Sequence, residues 1–333
     1  MSKSIFADEL IEHVGEEITE SFLLKSIGQK RNLDGRNRYI EFKFLDKTGE
    51  FTGYLYEEYM RPEYFTYKKR VVSLTGQIIL RKDPVPKIYI SNLEEATEYE
   101  EADYYSGLEP EEEKRYLEII RQYAEKITHK GYQALVKGVY EDYRERIAQC
   151  PASLAGYCNY NGGVLAHTVA VTGIAIYSAK ILAKYSKRGK NLDFQLLATA
   201  SLLHEIGKIE EYTTFPLAQR ISEGILLPTS DLTIRILGAV MHRHEILLTK
   251  EEEYLLYHLI ETCTNEERFV KPMCMEAVIM QKAYQMQTRA EELGYFIEEN
   301  RGKTGGIYDE KLENFVYVRK KEERESEDSV DRK

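Results

Sequence analysis

Residues 38–56 read RYIEFKFLDKTGEFTGYLY, and this stretch decides the fold of the first part of the chain. Residues 38–44 and 51–56 both alternate apolar with polar side chains, which is the pattern of a half-buried β-strand. Between them, Asp46-Lys-Thr-Gly49 has the composition of a tight turn. The stretch therefore predicts two antiparallel strands that form a hairpin.

Three more segments around this hairpin have strand character: residues 22–27, 71–80 and 87–90. A longer connection, residues 57–70, separates the hairpin from the fourth strand. Five short strands with one long connection are typical of a small barrel of the oligonucleotide-binding (OB) type. We therefore expect an OB-type domain over residues 1–93.

The second part of the chain changes to helical periodicity. An acidic stretch, residues 94–113, is expected to be a linker, and residues 301–333 a charged C-terminal tail. Between these stretches, residues 114–300 form a predicted helical domain. Its helices are expected over residues 115–129, 132–149, 163–187, 193–207, 232–245, 250–262 and 275–294. The predicted fold class is α+β and multidomain, with a five-stranded β-barrel followed by an all-α domain.

Charge and composition narrow the classes of function. The net charge is −10, so a uniformly basic nucleic-acid-binding coat is excluded. The four cysteines form no CxxC pair, which argues against a zinc ribbon. The first residues lack an apolar signal core, and the uncharged residues 164–179 suit a buried helix better than a membrane span. We expect a cytoplasmic protein without a membrane partner.

The predicted barrel differs from the rest of the chain in its charge. Residues 21–94 contain 14 Lys/Arg and 9 Asp/Glu, a local net charge of +5, with aromatic residues interleaved. A basic surface with exposed rings binds single-stranded nucleic acid, because the cations hold the backbone and the bases stack on the rings. The predicted contacts are Lys43, Tyr54, Tyr56, Lys68, Lys69 and Arg70. The alternative is that about half of the rings belong to the barrel core.

The strongest chemical signal is Leu202-Leu-His-Glu-Ile-Gly-Lys208 in the helical part. An apolar helix ends there on His204 and Glu205, and His167 lies on another apolar helix upstream, after Gly162-Gly163. Imidazole and carboxylate ligands suit Mn²⁺, Fe²⁺, Zn²⁺, Co²⁺ or Ni²⁺. Such an ion polarises a phosphoryl oxygen and lowers the pKa of a bound water. The alternative is that the two histidines are ordinary core residues.

These motifs resemble the HD superfamily of metal-dependent phosphohydrolases. With a barrel ahead of them, they resemble in particular the YhaM-type 3′→5′ exoribonucleases, over about residues 15–295. Further matching fragments are Cys150-Pro-Ala-Ser, Glu223-Gly-Ile-Leu-Leu227 and Met275-Glu-Ala277. The resemblance implies single-stranded RNA or DNA as substrate, a divalent metal with Mn²⁺ expected, and homo-oligomeric rings. It places the metal on His167, His204 and Glu205, with Glu205 and Lys208 as catalytic residues and Lys208 on the substrate phosphate.

The chain also departs from the family pattern. Glu205 replaces the aspartate of the HD pair. Residues at other expected ligand positions do not match the family: Tyr157, Cys158, Thr229, Cys263, Thr264 and Tyr284. Five residues are candidates to replace the lost metal ligands: His242, His244, Glu245, His258 and Cys263. Of these, His242 and His244 are two residues apart and point to different faces of a helix.

Two functional interpretations therefore remain open. The first is a divergent phosphohydrolase that trims single-stranded nucleic acid from its 3′ end. The second is a catalytically inactive protein with the same fold, without a functional metal, which binds nucleic acid through its barrel or serves as an assembly scaffold. The surviving His167, His204, Glu205 and Lys208 favour the first, and the replaced ligand positions favour the second.

Overall fold

A computed structural model describes residues 3–32, 38–80, 85–104, 107–154, 156–214, 217–264, 270–300, 302–310 and 312–319. The chain is α+β, as the sequence predicts: a five-stranded sheet comes first and a helical part follows. The five strands are β1 (Glu17–Asn32), β2 (Arg38–Asp46), β3 (Gly49–Tyr56), β4 (Val71–Ile79) and β5 (Lys87–Glu95).

Hydrogen bonds between these strands close the sheet into a barrel in the order β1-β2-β3-β5-β4. Only the pairing of β3 with β5 is parallel. The predicted hairpin is confirmed, since Asp46 pairs with Gly49 across a turn of two residues. Two short 3-10 helices, Glu57–Tyr59 and Pro62–Tyr67, lie in the long connection between β3 and β4.

Aromatic rings fill the interior of the barrel. Phe42, Phe44 and Phe51 are buried, and Phe44 stacks on Phe51 with ring centroids 5.4 Å apart. Gly53 leaves room for these rings, because a Cβ at this position would lie 2.8 Å from both Phe44 and Ile90. Part of the aromatic content of the barrel is therefore core.

The helical part begins after the acidic stretch. Its helices are α1 (Pro110–Lys126), α2 (Lys130–Gln149), α3 (Gly163–Tyr185), α4 (Phe194–Leu203), α5 (Lys208–Glu211), α6 (Ser222–Leu226), α7 (Thr229–Arg243), α8 (Lys250–Thr264) and α9 (Met275–Glu299). The seven predicted helices are confirmed, with ends that shift by a few residues. Two short strands, β6 (Tyr212–Thr213) and β7 (Gln219–Arg220), pair between α5 and α6.

Helix α3 contributes much of the core of the helical part. It packs against α1, α2, α4 and α9, and Val164, Leu165, Val171 and Ala175 on it are buried. In the part of the chain that the structure describes, α3 alone is long and apolar enough to cross a membrane by length and composition. The core helices of soluble proteins meet the same criterion.

Two acidic or charged segments are more ordered than the sequence suggests. In the predicted linker, Tyr104 is 1% exposed and donates a hydrogen bond to Ser21 Oγ of β1 at 2.6 Å. In the predicted tail, β8 (Gly305–Asp309) and β9 (Asn314–Val318) form an antiparallel hairpin. The hairpin forms because Val316 and Val318 bury their side chains against Phe296 of α9. Residues 320–333 of the predicted tail lie outside the described residues.

The Gly162-Gly163 pair fixes the start of α3. Gly162 caps the helix with φ +79°, a left-handed conformation that glycine adopts without a steric penalty. Gly163 lies so close to the preceding loop that a Cβ would be 2.0 Å from the carbonyl oxygen of Cys158. That oxygen also accepts a hydrogen bond from the amide of Ala152 at 3.1 Å. The pair therefore holds the loop that contains Tyr157 and Cys158 against the first turn of α3.

We expect Gly163→Ala to lower the free energy of unfolding by about 2 kcal/mol or more, because the methyl group must displace this loop. The matched control is Gly238→Ala in α7, where a Cβ meets nothing within 4 Å. It should raise the free energy of unfolding by roughly 0.5–1 kcal/mol through better helix propensity. Urea denaturation followed by circular dichroism measures both. Equal effects of the two substitutions would contradict the close approach at Gly163.

Candidate functional site

Three buried side chains converge between α3 and the end of α4. His167 lies on α3, and His204 and Glu205 follow the last residue of α4. The Nε2 atoms of His167 and His204 are 3.1 Å apart, and His167 Nε2 lies 3.5 Å from Glu205 Oε2. All three residues are at most 1% exposed. The predicted set His167, His204 and Glu205 thus forms one cluster, with potential ligand atoms within 4.8 Å of one another.

The hydrogen bonds on the far side of each imidazole decide its tautomer. His167 Nδ1 lies 2.6 Å from Gln287 Oε1, and His204 Nδ1 lies 2.9 Å from the backbone oxygen of Ser201. Both oxygens can only accept, so both Nδ1 atoms carry the hydrogen. In the neutral rings, the two Nε2 lone pairs then face each other. Two lone pairs at this distance repel each other, and a proton or a cation between them would remove that repulsion.

Burial and charge set the protonation of the cluster. Burial lowers the pKa of His204 to about 4, and burial also lowers the pKa of His167. Burial alone would raise the pKa of Glu205, but the positive charge of Lys208 and the hydrogen bond from Tyr157 favour the carboxylate, and the pKa is lowered. The cluster therefore presents two neutral imidazoles and one carboxylate at neutral pH.

This donor set fits a divalent cation. Among the described residues, Glu205 Oε2 is one of two buried side-chain oxygen or nitrogen atoms that lack a hydrogen-bond partner. A buried carboxylate oxygen without a partner is costly, and a cation next to it and the two Nε2 atoms would remove that cost. Nitrogen and oxygen ligands of this kind suit Mn²⁺, Fe²⁺, Zn²⁺, Co²⁺ and Ni²⁺.

Two tyrosines occupy the other side of Glu205. The hydroxyl groups of Tyr157 and Tyr284 lie 2.9 Å and 3.2 Å from Glu205 Oε1, and 2.8 Å from each other. From the sequence, both are expected to be positions at which a ligand of the family pattern has been lost. The structure places both against the cluster, with both hydroxyl groups within hydrogen-bond distance of the same carboxylate oxygen, Oε1.

The other non-matching positions are not directly in the cluster. Cys158 Sγ accepts from Gln287 Nε2 at 3.7 Å, and Thr229 Oγ1 donates to Glu211 Oε2 at 2.5 Å. Cys263 is buried on α8, and Thr264 is the last residue of that helix, with its side chain outside the described residues. Among the candidate replacement ligands, His242 and Glu245 are exposed, His244 bonds to Asp142, and His258 accepts from the amide of Met273.

A cavity of about 840 Å³ opens on the tyrosine side of the cluster. Its basic lining residues are Lys208, Arg220 and Arg289, and Tyr157 and Tyr284 line it too. Because His167, His204 and Glu205 are fully buried, the two tyrosines stand between the cluster and this cavity. Glu211 and Glu292 also line the cavity and pair with these cations, so a phosphate bound there would compete with a carboxylate for each of them.

Lys208 is the most buried of these cations. Its Nζ atom lies 3.1 Å from Glu211 Oε2 and 3.3 Å from the hydroxyl group of Tyr212. Burial alone would lower the pKa of Lys208, but Glu205, Tyr212 and Glu211 together raise it. Lys208 is therefore a permanent positive charge at the wall of the cavity.

The six barrel residues predicted to contact nucleic acid lie in two groups. Lys43 is exposed on β2, while Tyr54 and Tyr56 on β3 touch the rings of Tyr39 and Tyr89. Tyr54 is only 8% exposed, so it offers little ring face to a base. Exposed Lys68 precedes Lys69 and Arg70, which have partners: Lys69 bonds to Gln219, and Arg70 pairs with Glu95 at 2.6 Å.

The second group lies next to the cavity. Lys69 reaches from the barrel to Gln219 on β7, and the next residue, Arg220, lines the cavity. Leu217 also packs against a buried cluster that includes Leu23 and Val71 of the barrel. The basic end of the barrel connection and the cavity are therefore joined by one short segment.

Gln287 was not predicted as a site residue. It lies one helical turn after Tyr284 on α9, and its side chain is buried although it is polar. Residues three apart lie on the same face of a helix. Gln287 shares the buried face of α9 with Met280 and Ala283. A polar residue on this otherwise apolar face is the signal that could have identified it.

Comparison with known proteins finds distant relatives. The chain is 22% identical over 262 residues to "3'-5' exoribonuclease YhaM" of Bacillus velezensis, which covers 78% of this chain and 79% of the relative. The protein of the same name from Bacillus subtilis is 21% identical with the same coverage, and that of Oceanobacillus iheyensis is 21% identical over 248 residues. No family model matches the chain.

Among solved structures, the asparaginyl-tRNA synthetase of Pyrococcus horikoshii is similar to this chain at 16% identity with a TM-score of 0.23. The match covers 43% of this chain and 34% of the synthetase. A second structure of that enzyme also gives a TM-score of 0.23. Similarity at this level carries no conclusion about the fold.

We expect Glu211→Gln to lower the free energy of unfolding by about 3 kcal/mol, because it removes the carboxylate that forms an ion pair with buried Lys208. The control is Arg220→Gln, which removes a half-exposed partner of Glu211 and should cost about 1 kcal/mol or less. Urea denaturation at pH 7 measures both.

The effect of Glu211→Gln on the free energy of unfolding should also depend on pH. The pKa of Glu211 is lowered despite its burial, because Lys208 and the hydrogen bonds from Thr229, Tyr212 and Lys208 favour the carboxylate. Its contribution is therefore present above the ordinary glutamate pKa and lost as the pH falls through the folded-state value. The difference between wild type and Glu211→Gln should shrink below about pH 4.5. A difference that is independent of pH would rule out a role for this charge.

Proposed function

We propose that the chain is a divergent HD-type metal-dependent phosphohydrolase that removes nucleotides from the 3′ end of single-stranded RNA. The distant relatives named 3'-5' exoribonuclease YhaM support a nuclease-like function. The observation that carries the proposal is the cluster of His167, His204 and Glu205, where two Nε2 lone pairs and an unpartnered carboxylate oxygen converge. We also propose that the barrel is of the OB type and the helical part of the HD type.

In this proposal the chain's own residues bind, orient and shield the phosphate. His167 Nε2, His204 Nε2 and Glu205 Oε2 would hold a divalent ion, which when bound polarises a phosphoryl oxygen and lowers the pKa of water. Lys208 provides a positive charge at the cavity wall that would hold the scissile phosphate. The barrel connection around Lys68, Lys69 and Arg70 would lead the strand toward the cavity.

A second candidate function is supported by the two tyrosines. Tyr157 and Tyr284 stand between the buried cluster and the cavity, so a phosphate in the cavity meets hydroxyl groups before it meets the cluster. This arrangement favours a protein that binds a nucleic-acid end without cleaving it. The two functions differ in whether the bound strand is shortened.

We expect Mn²⁺ or Co²⁺ to raise the melting temperature of the wild-type chain. An ion at 100 times its Kd stabilises the native state by about 2.7 kcal/mol, a rise of roughly 5–10 °C for a domain of this size. His167→Ala and His204→Ala should lose this rise. His242→Ala, at an exposed position on α7, should keep it. Equal shifts in all four proteins would show that the ion binds elsewhere.

We expect the purified chain to shorten 5′-labelled single-stranded RNA from the 3′ end in the presence of Mn²⁺ and not with EDTA. The double variant His204→Ala/Glu205→Ala should abolish cleavage, and Lys208→Gln should slow it by roughly 100-fold while ion binding persists. A DNA oligonucleotide of the same sequence tests whether the chain acts on RNA, on DNA or on both. His242→Ala again serves as the control variant.

Retained RNA binding without shortening in a gel shift would establish the non-cleaving function instead. Absence of both binding and cleavage would reject both candidates. Cleavage that survives in His204→Ala/Glu205→Ala would reject the cluster as the catalytic site.

A further inference from the structure

We propose that Tyr157 and Tyr284 are positioning residues that together hold Glu205, so that Oε2 alone faces the two histidines. The inference rests on the proposed function, because it assigns these residues a role in holding the ion. Both lie at positions where the chain departs from the related phosphohydrolases. Their contacts with Glu205 indicate a role that the sequence pattern alone does not predict.

The three oxygens form a closed triangle. Tyr157 and Tyr284 both reach Glu205 Oε1, and their hydroxyl oxygens are within hydrogen-bond distance of each other. Two phenol groups have only two hydrogens for these three contacts. The shorter distances favour a chain in which Tyr284 donates to Tyr157 and Tyr157 donates to Oε1. Such chained hydrogen bonds polarise and strengthen one another.

Packing prevents the two rings from moving away. The backbone oxygen of Tyr157 accepts from Ser153 Oγ at 2.7 Å, within the loop that Gly163 holds against α3. The ring of Tyr157 lies 4.9 Å from the ring of His167, and Tyr284 packs edge-on against His167 and His204 at 5.3 Å and 5.8 Å. The two tyrosine rings are therefore held in place against His167 and His204, whose Nε2 atoms face the pocket.

Glu205 needs this restraint because a competing charge is close. The backbone amide of Lys208 donates to the backbone oxygen of Glu205 at 3.0 Å, and Lys208 lines the cavity. Without the two hydroxyl groups, the carboxylate would be free to turn toward Lys208, and Oε2 would leave the histidines. The hydroxyl groups keep Oε1 occupied, which leaves one carboxylate oxygen for an ion. Residues that orient a ligand in this way typically contribute 10–100-fold to metal affinity.

The test uses Tyr157→Phe and Tyr284→Phe, which remove a hydroxyl group and keep the ring. The control is Tyr132→Phe, a buried tyrosine whose hydroxyl group contacts the backbone oxygen of Glu252 at 3.4 Å. Mn²⁺ affinity is measured by calorimetry on the full chain. Co²⁺ is titrated in parallel, because its visible absorption reports the ligand arrangement directly. Neither readout depends on activity.

We expect each of the two site variants to bind Mn²⁺ about 10–100-fold more weakly than wild type and to change the Co²⁺ spectrum. Tyr132→Phe should match wild type in both. Because phenylalanine conserves the ring, circular dichroism of the ion-free variants should be unchanged. Should one variant fail to fold, the other still decides, and a tyrosine difference spectrum on adding Mn²⁺ to wild type provides an independent readout.

Wild-type affinity and an unchanged Co²⁺ spectrum in both site variants would overturn the positioning role and leave the proposed function intact. Absence of ion binding in wild type would overturn both. A tyrosine difference spectrum that is absent in wild type, although calorimetry detects binding, would also count against the positioning role.

Discussion

Two imidazoles whose free nitrogens face each other in a buried pocket form the constraint on which the rest of the site depends. Neither His167 nor His204 can turn away, because Gln287 and the backbone of Ser201 hold their opposite nitrogens. The carboxylate of Glu205 supplies the compensating negative charge, and helices α3, α4 and α9 must pack closely to bring all these groups together. Among the described residues, the hydrogen bonds around this pocket leave Glu205 Oε2 without a partner.

Much of the fold follows from local patterns. Alternation over residues 38–56 predicts the hairpin, and helical periodicity predicts the seven main helices, because each pattern reports one buried face. The parallel pairing of β3 with β5 depends on contacts between distant segments and leaves no local signal. The hairpin of β8 and β9 was missed because its apolar residues, Val316 and Val318, lie within a highly charged stretch.

The sequence also predicts part of the site. His167, His204 and Glu205 come together as their positions on two apolar helices suggest. The contacts of Tyr157, Tyr284 and Gln287 could not be read from spacing, because they depend on how α9 and a glycine-anchored loop approach α3. For the barrel, composition alone cannot distinguish an exposed ring from one covered by its neighbours. Tyr54 belongs to the second kind.

The groups that form the pocket are distributed widely along the chain. His167 and His204 are 37 residues apart, and His167 is 120 residues from the Gln287 that orients it. A chain emerging from the ribosome can close its barrel early, since the domain nearest the N-terminus folds first. The pocket becomes complete only after α9 has been synthesised and docked. An ion held there would bind the finished protein alone, so the metal supply of the cell would influence how much of the newly made protein persists.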